Sequence, residues 1–223
     1  MTIPTTRTRW GILGTGWVAH EFTSDLVRNG FQVTAVGSRS QSSASEFAAE
    51  FGIETAHKGY AALVSDENVD VVYVSTPHPF HWPHARLALE AGKHVLLEKP
   101  FTVNAREARD LVEFAAQQRL VLLEAMWTRF VPHMVRVREI IAAGTIGEVR
   151  TLIADHNQAL PQDPHHRVND LDLAGGALLD LGVYPVSFAE ELFGAPQTVY
   201  ALAAKTDTGV DRQTGIVLGY PDA

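Results

Sequence analysis

The chain has 223 residues, 46% of them hydrophobic and 20% charged, which fits a folded protein with room for one large domain or one and part of a second. It contains no cysteine, which excludes a disulfide scaffold and any thiolate-ligated metal. A formal net charge of -8 argues against a nucleic-acid surface and suits small-molecule partners.

Residues 9–13 form a short apolar run closed by Gly14, and Val18, Phe22, Leu26 and Val27 at helical spacing predict a helix over 18–27. A strand over 31–37 and a helix over 45–51, stopped by Gly52, follow. Residues 69–74, apolar apart from Asp70, read as a strand buried on both faces. Then come a helix over 83–91, a strand over 94–97, a helix over 105–118 and a strand over 120–123. Alternating strands and helices at this spacing predict a parallel sheet with helices on both faces.

Beyond that the pattern changes. A helix over 132–143 ends at Gly144, and a strand is expected over 148–155. A polar, irregular stretch covers 158–172, and 176–192 is mainly helical. Strands over 198–205 and 214–220 are expected to pair antiparallel across the turn-rich 206–212. No apolar run approaches the roughly 20 residues of a membrane span. Residues 1–9 carry positive charge but no apolar stretch, so no secretory signal is read and a cytoplasmic location is expected.

Gly14-Thr15-Gly16-Trp17-Val18-Ala19 is a G-x-G-x-x-A sequence between a strand and a helix. The first glycine permits a tight turn, the second lets backbone approach a diphosphate, and Ala19 allows close helix packing. Gly14, Thr15, Gly16, Trp17 and Val18 are therefore expected at a dinucleotide, whose phosphates would meet the unpaired N–H groups of the helix. Where an NAD enzyme usually carries an acidic residue for the ribose 2′-hydroxyl, this chain has Ser38-Arg39. A hydroxyl and a guanidinium suit a 2′-phosphate, so NADP is expected over NAD. The fold expected is α/β: a Rossmann dinucleotide-binding domain over 1–126, then an α+β domain over 127–223 with an open, mainly antiparallel sheet.

Two further segments fall at the carboxyl edge of the predicted sheet, where ligands bind in such folds. Ser75-Thr76-Pro77-His78 follows one strand and Glu98-Lys99-Pro100 the next, so Thr76, Pro77, His78, Glu98 and Lys99 are candidates. Asp180 and Tyr184, four apart in a helical stretch, are placed on one helix face. Arg167, in the irregular stretch, is a candidate for the substrate pocket. His78, His81 and His84 are spaced three apart, with His156, His165 and His166 later. Such spacing could ligate zinc on a helix, but two prolines interrupt the early part of it and no carboxylate completes a ligand set, so no metal is expected.

These motifs, with Ala91-Gly92-Lys93-His94 and Glu124-Ala-Met-Trp-Thr-Arg-Phe130 in order between them, make the sequence resemble the Gfo/Idh/MocA-type oxidoreductases from Arg9 to the last residue. Tyr184, where many members have His, resembles the branch containing trans-dihydrodiol dehydrogenase, NADP-dependent xylose dehydrogenase and glucose–fructose oxidoreductase. The resemblance implies hydride transfer between NADP and the carbinol carbon of a sugar, cyclic polyol or vicinal diol. Lys99 and Tyr184 would be the catalytic pair, with Lys99 favouring the tyrosinate, and Asp180 would orient substrate. His81 and Trp127 would line the nicotinamide and substrate pocket, and the Lys99–Pro100 bond would be cis. It also implies a homodimer through a completed sheet, and a chain that stops mid-sheet relative to the family. The alternative is a catalytically inactive cofactor-binding regulator, or a truncated non-enzymatic fragment, on the same fold.

Overall fold

The computed structural model describes residues 8–221. Residues 1–7, which bear on a secretory signal, and residues 222–223 lie outside the described residues. The chain divides into two compact units, one ending at Ala125 and the other beginning at Met126.

The first unit is a six-stranded sheet with helices on both faces. In chain order it runs β1 (Arg9–Leu13), α1 (Trp17–Arg28), β2 (Gln32–Ser38), α2 (Gln41–Phe51), β3 (Thr55–Lys58), α3 (Tyr60–Val64) and β4 (Val71–Val74). It continues with α4 (His81–Glu90), β5 (His94–Leu97), α5 (Ala105–Gln118) and β6 (Leu122–Glu124). Every pairing is parallel and the order is β3-β2-β1-β4-β5-β6. The order reverses direction between β1 and β4, which opens a crevice at the carboxyl ends of those strands.

Period-two alternation explains the two cores. Ile12, Val36 and Tyr73 point to one face and pack with Ala19, Leu26 and Phe47 from α1 and α2. Leu13, Val72, Val74 and Leu97 point to the other and pack with Leu63, Ala85, Leu89 and Leu111 from α3, α4 and α5. At the amino edge, Arg9 binds Asp70 through its backbone N–H (2.9 Å), Nε (3.0 Å) and Nη2 (2.6 Å), registering β1 against β4. The carboxyl edge thus presents Gly14, Ser75 and Glu98 just after β1, β4 and β5, and Ser38 as the last residue of β2.

Some boundaries differ from the expected ones. β3 and α3, four and five residues long, are too short to show a period. The helix expected from residue 83 begins at His81 and runs through Pro83. In the first turn a missing N–H removes no intrahelical bond, so proline is tolerated there.

The second unit contains a 3₁₀ turn (Trp127–Arg129), α6 (Pro132–Ala142), a second 3₁₀ turn (Arg167–Asn169), a π-turn (Leu178–Gly182), α7 (Val183–Phe193), β7 (Thr198–Lys205) and β8 (Asp211–Gly219). β7 and β8 pair antiparallel. The strand expected over 148–155 does not form. A strand needs a hydrogen-bonded neighbour, and among the described residues the two strands of this unit pair with each other. Among the described residues no helix is long and apolar enough to cross a membrane.

Candidate active site

The glycine turn joins β1 to α1. Gly14 holds φ at 109°, a conformation that favours glycine, and its N–H donates to the Gly37 carbonyl (3.0 Å). A Cβ there would stand 3.0 Å from Ser75 Oγ. Gly16 is different: as N-cap of α1 it has φ of -82°, which any residue adopts, and a Cβ there would meet nothing within 4 Å. Neither conformation nor packing within the protein requires that glycine. What it does is leave open space over the N-terminus of α1, where no side chain caps the first N–H groups. That is the space and the donor set a diphosphate needs. Thr15, Trp17 and Val18 complete the turn, with Trp17 exposed.

Thr15 Oγ1 and Ser38 Oγ lie 3.4 Å apart, so the buried Ser38 hydroxyl stands beside the glycine turn. Arg39 follows it, exposed to solvent. Its positive charge reaches Tyr60, at the start of α3, and His84, on α4. His84 shares a hydrogen bond with Thr76 Oγ1 (2.9 Å) and packs edge-on against Tyr60. Burial, reinforced by the charges of His81 and Arg39, pushes its pKa down to about 4.

His81 is 1% exposed and spans two loops. Its Nε2 lies 2.7 Å from the Thr76 carbonyl oxygen after β4, and its Nδ1 lies 2.7 Å from the Pro100 carbonyl oxygen after β5. Burial lowers its pKa, while the two carbonyl acceptors pull in the opposite direction. Pro77 precedes a short 3₁₀ turn that carries the buried His78, whose ring lies 5.7 Å from that of His81. The Lys99–Pro100 peptide is cis.

Glu98 accepts from the buried Tyr73 hydroxyl (2.5 Å) and from the Lys99 backbone N–H (3.0 Å). Burial raises the Glu98 pKa above the usual carboxylate range, against the opposing effect of both donors and of the Lys99 charge. Glu124, at the end of β6, accepts from the Phe101 N–H (2.9 Å). The Glu98–Lys99–Pro100 turn is therefore held from Tyr73 on one side and Glu124 on the other.

In the second unit, Trp127 Nε1 donates to the Tyr184 hydroxyl (3.1 Å). The turn carrying Trp127 is fastened to α7 by Arg129, which donates to Ser187 Oγ (3.0 Å) and pairs with Glu190 (3.1 Å). His156 packs edge-on against the Tyr184 ring, with centroids 4.8 Å apart. Asp180, 6% exposed, accepts from both terminal nitrogens of Arg167 at 3.3 Å. Asp180 lies in the π-turn and Tyr184 in α7, so the regular α-helical face expected for the two is interrupted by a wider turn. Asp211 anchors that π-turn to β8, accepting from Leu178 N–H and Thr214 Oγ1, each at 2.8 Å.

The family model described as "Oxidoreductase family, NAD-binding Rossmann fold" matches residues 8–126, and the Gfo/Idh/MocA C-terminal domain model matches 134–223. The chain belongs to the Gfo/Idh/MocA oxidoreductase family.

Among its relatives, the trans-1,2-dihydrobenzene-1,2-diol dehydrogenase of Mus musculus is 44% identical, the match covering 96% of this chain and 65% of that protein. The D-xylose 1-dehydrogenase (NADP(+)) of Hypocrea jecorina is also 44% identical, covering 96% and 62%. A 3-ketoreductase of Actinomadura kijaniata, solved with NADP and TDP-benzene, superimposes with a TM-score of 0.87 at 32% identity, covering 96% of this chain and 66% of that one. The chain thus spans somewhat less than two thirds of the length of the two dehydrogenases.

Within this Gfo/Idh/MocA chain, sequence reasoning missed Tyr73, Glu124 and Arg129, which hold site loops in place. Tyr73 sits in an apolar strand and reads as core. It also missed His156 as a neighbour of Tyr184, having weighed it only as a metal ligand. Among the described residues no group of three or more His, Asp or Glu side chains is arranged to hold a metal ion.

Proposed function

We propose that this Gfo/Idh/MocA protein is an NADP-dependent oxidoreductase acting on the carbinol carbon of a sugar, cyclic polyol or vicinal diol. The observation that carries this reading is Gly16, a glycine that the protein's own packing does not require, over the open N-terminus of α1. Ser38 and Arg39 beside that turn support NADP over NAD, in keeping with the NADP named for the xylose dehydrogenase and the 3-ketoreductase. Sugars and diols are the substrates named for the relatives.

When bound, the nicotinamide supplies or accepts the hydride. Gly14 to Val18 would receive the diphosphate, and Ser38 with Arg39 would receive the 2′-phosphate. Thr76, Pro77 and Glu98 would line the cofactor from the β4 and β5 edges, and His81, buried with both ring nitrogens on the Thr76 and Pro100 carbonyls, would hold those two loops in place rather than touch it. Tyr184 takes the alcohol proton in oxidation and returns it in reduction, with its oxygen oriented by the Trp127 N–H. Lys99 is the positively charged member of the proposed catalytic pair. Asp180 and Arg167 form a paired carboxylate and guanidinium for substrate hydroxyls, with His78 and Trp127 as further pocket walls. The presence of Lys99, Asp180 and Tyr184 together favours an enzyme over a cofactor-binding regulator. A cytoplasmic homodimer joined through the sheet of the second unit completes the proposal.

An NADP-coupled absorbance screen against aldoses, inositols and cyclic diols tests it. Turnover is expected with at least one class, and Tyr184→Phe and Lys99→Met should each lower it by orders of magnitude while NADP affinity changes little. Near-normal rates in either variant would overturn the assignment.

A further inference from the structure

We infer that His156 is a specificity-determining residue of this site, its imidazole N–H reading a hydroxyl on the carbon next to the reacting carbinol. The inference rests on the proposed role of Tyr184 and specifies which substrates that site takes.

Tyr184 has an aromatic neighbour on two sides. The Trp127 ring lies 6.2 Å away and the His156 ring 4.8 Å away, both edge-on. The two neighbours differ in what they have left to offer. An indole has one polar atom, and that of Trp127 is committed to the Tyr184 hydroxyl. His156 has two ring nitrogens. Its Nε2 lies 3.1 Å from the Gln158 amide nitrogen. An amide nitrogen only donates, so Nε2 is the acceptor and the neutral ring carries its proton on Nδ1. In that arrangement Nδ1 is the donor of the ring.

Edge-on packing against a phenol would be served equally well by a phenylalanine. A histidine at this place adds a ring N–H that a phenylalanine lacks. A donor beside the group that handles the reacting alcohol selects for a second oxygen close to the first. That is the arrangement in vicinal diols and in aldoses bearing a 2-hydroxyl, and it is absent from simple alcohols. A site built around such a donor penalises the analogue that leaves it unpaired.

The test compares His156→Phe and His156→Asn with the wild type on matched pairs: trans-cyclohexane-1,2-diol against cyclohexanol, and D-glucose against 2-deoxy-D-glucose. Loss of one net hydrogen bond corresponds to roughly a tenfold change. The ratio of kcat/KM within a pair should therefore fall by about tenfold in His156→Phe. In His156→Asn, which keeps an N–H donor, much of that ratio should return. A ratio unchanged in His156→Phe overturns the inference. NMR of ¹⁵N-histidine-labelled wild-type protein gives a readout that needs no turnover. The His156 ring, identified by its absence from His156→Phe, should show the Nδ1-protonated tautomer and shift on addition of trans-cyclohexane-1,2-diol but not of cyclohexanol. A wild type inactive on every substrate counts against the proposed function, whereas a His156 signal that does not move with the diol counts against this inference alone.

Discussion

Trp127 donates its indole N–H to the Tyr184 hydroxyl oxygen across 3.1 Å, and Arg129, two residues further on, ties the same turn to α7 through Ser187 and Glu190. The bond orients the phenol that the proposed chemistry needs. Trp127→Phe keeps the ring and removes the donor. Turnover should fall by about tenfold, the equivalent of one net hydrogen bond, with NADP affinity unchanged. Steady-state kinetics beside a fluorescence titration of NADPH check this, and an unchanged kcat would count against the orienting role.

Tyr73→Phe removes one of the two hydrogen bonds to Glu98 while preserving the buried ring. An under-satisfied buried carboxylate costs about 1–3 kcal/mol. The folded-state pKa of Glu98 already lies above its ordinary 4.5, so its ionisation opposes folding. Losing the Tyr73 bond pushes that pKa higher. The variant's loss of stability in urea denaturation should therefore be greatest at neutral pH and shrink as pH falls through that raised pKa towards 4.5.

His84 has its pKa pushed from an ordinary 6.5 down to about 4, chiefly by burial. A histidine depressed in the folded state favours folding fully above pH 6.5, and that contribution is lost as pH falls towards 4. The wild type should lose stability across this window, and His84→Gln should lose less. His81 shifts in the same direction and remains in the variant, so the slope should flatten without vanishing. Urea midpoints measured from pH 7.5 down to 4 decide this, and parallel profiles for the two proteins would contradict it.

Much of this architecture was legible in the sequence because the parallel strands are buried on both faces. Residues 71–74 and 94–97 read as near-continuous apolar runs, and the glycine turn announces the β1–α1 junction. β3, with the sequence Thr-Ala-His-Lys, has no such run and is held by pairing with β2. The segment over 148–155 shows the converse. It has a strand-like composition, yet pairing decides, and no described neighbour pairs with it. For the site, position at a strand end was enough to single out Glu98 and Lys99. Contacts between distant segments carry no local signal. That is why the Tyr73–Glu98 bond and the His156–Tyr184 contact emerge only from the fold.

Gly16→Val offers a clean separation of binding from folding. Its φ of -82° and the absence of any protein atom within 4 Å of a Cβ mean that neither the backbone nor the first side-chain carbon is strained there. The side chain would occupy the space over the N-terminus of α1. Circular dichroism and the urea midpoint should match the wild type, while nucleotide affinity falls by at least about tenfold. A folded variant that binds nucleotide normally would remove Gly16 from the cofactor site.

The most direct test of the central claim is a fluorescence titration of the folded wild type and Arg39→Ala with NADPH and NADH. The wild type should bind NADPH saturably and at least about tenfold more tightly than NADH, the difference expected from charge-assisted bonds to a 2′-phosphate. Arg39→Ala should bring the two affinities close together. Failure of the wild type to bind either nucleotide, or a preference for NADPH untouched by Arg39→Ala, would contradict the account.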